Sequence, residues 1–147
     1  PWDDIEITDI CEAASISLAE FREHFPSKGA VLGALSRRID LEVLRGTTED
    51  LAGEPVRERL FDVLMRRIDA MAPYKAALRR IRFALRGDVL AMAALNQVAL
   101  NSMRFMLAAA GVSTEGPLGL VKLQGAVVAF SNTVETWLDD DDPDFAR

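Results

Sequence analysis

Apolar side chains recur every three or four positions along nearly the whole chain, and no stretch alternates with the two-residue period of a half-buried strand. The pattern predicts helices throughout. Thr8 can cap a short helix reaching about Ser15, with Ile10, Ala13 and Ala14 on its inward side. Ser17 to Glu20 has the capping-box spacing, a hydroxyl followed three residues later by glutamate. The helix it opens is expected to bury Leu18, Phe21 and Phe25, at i, i+3 and i+7. Pro26 stops that helix, because the residue before a proline resists helical dihedrals. Ser27 begins a longer helix in which Ala30, Val31, Leu35 and Ile39 make the apolar stripe, with Arg37 and Arg38 outward.

"RGTTEDLAGEP", residues 45–55, is the first strong punctuation, and it divides the chain into units 1–46 and 47–147. Pro55 suits the first turn of a helix running to about Met71. Another follows over 72–87 and ends at Gly87. Asp88 caps the longest apolar helix, which closes at Gly111. Residues 118 to about 138 form one more, apolar nearly all round, with Gly119, Gly125, Ala126 and Ala129 allowing a close backbone approach. "DDDDPDFAR" breaks it and starts a further element; clustered aspartates at a turn are ordinarily solvated.

Composition narrows the chemistry. Half the residues are hydrophobic and 27% are charged, enough apolar content for a core. No apolar run reaches membrane-spanning length; Asn96 and Gln97 interrupt the nearest approach, "VLAMAALNQVAL". With Cys11 the one cysteine and His24 the one histidine, neither a disulfide framework nor a Cys/His zinc site can be built. No glycine-rich phosphate loop appears, so an enzyme would have to work on carboxylates alone, and we expect neither an enzyme nor a cofactor. The acidic "PWDDIEITDI" does not read as a signal peptide, and a cytoplasmic protein is expected. The net charge of −6 argues against a general nucleic-acid coat, though a site-specific binder needs only a suitable contact face.

Ala13-Ala14-Ser15-Ile16-Ser17, then Leu18 to His24, then Phe25-Pro26-Ser27-Lys28, resembles the helix-turn-helix of the tetracycline-repressor (TetR) family of bacterial regulators. The match spans about thirty residues with its spacing kept. It implies an all-α protein: a three-helix DNA-binding unit whose first helix lies ahead of residue 1, then an orthogonal helical domain for effector binding and dimerisation. The resemblance makes Thr8, Ser17, Ala19, Glu20, Arg22, His24, Ser27 and Lys28 the candidate DNA-contacting set, with Arg22 where the family often has tyrosine. Glu20 can serve as capping-box partner or accept from cytosine N4. Ser27 and Lys28, at a helix start, suit a phosphate clamp. Ser15 replaces the family's turn glycine, and is strained if its dihedrals are left-handed. Across residues 1–40, eight acids face four bases. The final stretch, "GAVVAFSNTVETWLDDDDPDFAR", is similar to lipid-binding proteins of ubiquinone biosynthesis that share the TetR fold without binding DNA, and this is the alternative reading.

For the second unit the expectation is a homodimer through Leu120, Leu123, Val127, Phe130, Val134 and Trp137. A pocket for a small, largely apolar effector is expected among Met65, Phe83, Met92, Asn96, Met103 and Phe130. Paired modules would read a palindromic operator. Arg79, Arg80, Arg82 and Arg86 share one short helix, as a solvated face or as a surface bridged to the chain's acids.

Overall fold

In a computed structural model of the chain, residues 4–46 and 53–140 are described, and all their regular structure is helical. The helices are α1 (Ile7–Ala14), α2 (Leu18–His24), α3 (Lys28–Arg45), α4 (Val56–Met71), α5 (Lys75–Ala84), α6 (Val89–Ala109) and α7 (Gly116–Asp139). A 3-10 turn, Ala72–Tyr74, joins α4 to α5. Residues 141–147, where a further element was anticipated, lie outside the described residues.

Three of the helix starts follow local chemistry visible in the sequence. Ser17 Oγ accepts from the Glu20 backbone N–H at 3.2 Å, while the Glu20 carboxylate accepts the Ser17 N–H at 2.7 Å. Ser27 Oγ accepts from Ala30 N–H at 3.3 Å, and Asp88 accepts from both Leu90 and Ala91 at 2.9 Å. Each satisfies backbone donors that a first helical turn cannot pair within itself. Thr8 does not play this part. The helix begins two residues earlier, at Ile7, Glu6 is its cap, and Asp9 completes a reciprocal box by accepting the Glu6 N–H at 2.7 Å. Thr8 thereby falls inside the first turn. The inward side of α1 also differs from expectation: Cys11 is buried, Ile10 is half-buried, and Ala13 and Ala14 are exposed.

The core lies among α3, α4, α6 and α7. Ile39 and Val43 from α3 pack with Val63, Ile68 and Met71 of α4, Met103, Met106 and Leu107 of α6, and Leu123, Val127, Trp137 and Leu138 of α7. Apolar burial on this scale is the main stabilising term available to such a chain. The core therefore draws on helices from both sides of residues 45–55, and α3 shares its apolar face with the helices that follow.

Helix α5 contains no fully buried residue and rests against α7. Arg79 Nε donates to the Leu138 carbonyl at 2.7 Å, Lys75 Nζ donates to the Asp140 carbonyl at 2.6 Å, and Arg82 pairs with Asp139 at 2.6 Å. Cations at a helix C-terminus satisfy its unpaired carbonyls and complement its dipole. Part of the arginine-rich face is thus a clamp on the end of α7.

Candidate functional site

Residues Ser15 to Ser17 join α1 to α2. Ser15 is the helix C-cap, at φ 55° and ψ 43°, so the serine occupies the left-handed region that favours glycine. Beyond it, Phe21 turns inward at 3% exposure, and its ring centroid lies 5.3 Å from that of Phe25. Those two rings fill the inward side of this two-turn helix. Leu18, expected to be buried with them, is 55% exposed.

Ala19, Glu20, Arg22, Glu23 and His24 are all exposed, as are Thr8, Ser17 and Ser27. Glu20 is committed locally. Hydrogen bonds from the Ser17 backbone and hydroxyl hold its carboxyl below the usual carboxylate range, with nearby His24 acting in the same direction. Lys28 is half-buried, and its ammonium donates to the Ile5 carbonyl at 2.9 Å, tying the segment before α1 to the start of α3. Cys11 sits beneath the turn, its thiol 3.9 Å from the Ser17 carbonyl.

A second feature was not anticipated. Asp40 of α3, Arg67 of α4 and Ser102 of α6 are buried together. The Arg67 guanidinium pairs with Asp40 and also reaches Ser36 Oγ at 3.2 Å, while Ser102 Oγ donates to Asp40 at 2.7 Å. Burial pushes the Arg67 pKa down, and the Asp40 charge opposes that shift. The guanidinium carbon of Arg67 lies 5.9 Å from the centre of the Phe130 ring. Beside this network, α3 and α6 enclose a groove of about 560 Å³, lined by Gly33, Ser36, Arg37, Asp40, Leu41, Leu44, Val98, Asn101, Ser102 and Phe105. The sequence signal was there in outline: an aspartate four residues after Ser36, adjoining Ile39 on an otherwise apolar stripe.

None of the residues anticipated for an effector pocket lines this groove. Phe83 and Met92 are 78% and 51% exposed, Met65 is exposed, Met103 is sealed in the core, and Phe130 is half-buried beneath Arg67. Asn96 is exposed and accepts from Gln124 at 3.4 Å, linking α6 to α7 across the surface. Of the residues anticipated for a dimer contact, Leu123, Val127 and Trp137 are buried against the chain's own helices, which leaves them no surface for a partner. Phe130 and Val134 are half-buried, and Leu120 is 60% exposed. The large exposed apolar side chains of α7 are Leu118, Leu120, Val121 and Val128.

Among the described residues, no group of three or more His, Cys, Asp or Glu side chains is placed to hold a metal ion, and no helix is long and apolar enough to cross a membrane. No protein family, curated protein or solved structure matches the chain.

Proposed function

We propose that the chain is a DNA-binding transcriptional regulator of TetR type, most plainly a repressor, acting as a homodimer on a palindromic operator and released by a small effector. One observation carries this reading: α2 starts three residues after α1, turns Phe21 inward, and leaves Ala19, Arg22 and Glu23 on an exposed ridge, with Ser27 opening α3 just beyond. A short helix held from behind and bare in front suits insertion into a major groove. Arg22 is the residue to reach a guanine edge or a phosphate, and the N-terminus of α3 offers backbone N–H groups to the phosphodiester. Leu120, Val121 and Val128 on α7 supply the apolar surface for a twin subunit, with Gly125, which has open space above it, allowing close approach.

Selection of bound sequences from random duplex DNA tests the reading. We expect enrichment of a palindrome whose affinity falls steeply with salt, and a loss on Arg22→Ala. Absence of any enriched sequence overturns it.

The second reading, a lipid-binding protein on the same scaffold that does not bind DNA, is favoured by the carboxylates of Glu20 and Glu23 on that ridge, where a phosphate backbone would be repelled. Lipid copurifying with the protein, together with a failed duplex selection, would establish it.

A further inference from the structure

The groove between α3 and α6 is chemically lopsided. Leu41, Leu44, Val98 and Phe105 make an apolar wall, and Phe105 is 57% exposed. Toward the floor, Asp40 is already answered by Arg67 and Ser102, so that buried pair adds no net charge to the space above it. The remaining charge is Arg37, which lines the groove, is exposed, and engages no acid among the described residues. It also borders a shallower hollow along the outer flank of α3, where Arg38 and Arg45 outnumber Glu42. Nearby, Asn101 uses its carbonyl to accept from Gln97 at 3.1 Å, which leaves its NH₂ group to donate.

We propose that this groove binds an amphipathic monocarboxylate, its tail against Leu41, Leu44, Val98 and Phe105 and its carboxylate paired with Arg37. A single guanidinium matches one carboxylate through two parallel N–H donors. The same charge repels an amine, and a neutral apolar molecule gains nothing from it. At about 560 Å³ the groove falls within the roughly 300–1,000 Å³ of small-molecule sites. Helix α3 forms one wall of the groove and begins at the Ser27 cap, so occupancy biases how α3 lies against α6. That regulatory consequence rests on the regulator reading; the binding itself does not.

Calorimetric titration of the whole chain with decanoate, decanol and decylamine, each below its aggregation concentration and without DNA, tests the site. We expect saturable decanoate binding, decanol weaker by about tenfold, and no decylamine binding. Arg37→Gln should lose about tenfold for decanoate and nothing for decanol, the size expected for one charge-assisted contact. Val98→Trp, which fills the groove, should abolish both, and Phe105→Ala, a change at an exposed position, should weaken both. Equal decanoate affinity in the wild type and Arg37→Gln, or binding of decylamine, overturns the carboxylate assignment. Binding that survives both wall variants overturns the location, and absence of saturable decanoate binding overturns the proposal. Sedimentation in the same buffers adds one more outcome: a dimer abolished by Val98→Trp means a second copy occupies the groove, and the proposal fails. Because no DNA is present, a failed duplex selection leaves these results standing.

Discussion

Ser102 on α6 donates its hydroxyl proton to Asp40 on α3 across 2.7 Å, at a point where both residues are buried. Arg67 from α4 closes the same network, so three helices meet on one carboxylate. Removing one member of a buried pair leaves the other charged and desolvated. Asp40→Ala is therefore expected to destabilise the protein by about 3–5 kcal/mol in urea unfolding, whereas Asp40→Leu combined with Arg67→Met should recover most of that loss. A single-variant cost below about 1 kcal/mol would show that water reaches Arg67.

Ser15 gives a test of opposite sign. A left-handed residue with a side chain crowds its own backbone by about 1 kcal/mol, and glycine does not. Ser15→Gly should raise stability by roughly that amount, and Ser15→Val should lower it further than Ser15→Ala. Thermal unfolding of the three variants, ranked, decides the matter.

The capping box of α2 carries a pH signature. Glu20 titrates below its ordinary value because Ser17 hydrogen-bonds its ionised form. A depressed folded-state pKa means the contribution is fully present above the unfolded value and is lost as pH falls through the folded one. In an NMR titration of Ser17→Ala, which removes the hydroxyl and keeps the backbone N–H, the Glu20 carboxyl should therefore move part of the way toward the ordinary glutamate range. Unchanged titration would show that the backbone N–H of residue 17 holds the carboxylate without help from the hydroxyl.

Gly119 is buried near the start of α7, and a methyl group there would run into the Thr114 backbone of the preceding turn. Gly119→Ala should cost about 1–3 kcal/mol by overpacking. Gly125→Ala, at a glycine with nothing close above it, should leave monomer stability nearly unchanged or improve it through helix propensity. Parallel urea curves of the two variants provide the contrast.

The helical period and the caps at Ser17, Ser27 and Asp88 were legible in the sequence because each is a local event, decided by residues three or four apart. Phe21 was readable for the same reason. Leu18 was not, because a period names one face without saying how much protein stands behind it; Phe21 and Phe25 already fill the space behind α2. The same limit holds at α7, where the period did not say which apolar residues meet the chain's own core: Leu123, Val127 and Trp137 do, while Val121 and Val128 lie on the opposite, uncovered side. Arg67 and Ser102 lie 27 and 62 positions from Asp40 along the chain, a distance over which no spacing rule operates. The α3–α6 groove depends on that encounter, so its lining was invisible to periodicity.

The seam between α5 and α7 has a different temperament from the rest of the molecule. Leu78 packs against the core, and beyond that contact the seam relies on Lys75, Arg79 and Arg82 gripping the end of α7. Added salt weakens exposed charge contacts and leaves buried apolar packing nearly untouched. Amide hydrogens of α5 should accordingly exchange faster as ionic strength climbs while those of α4 and α6 hold steady, making this short helix the place where the protein first begins to come apart.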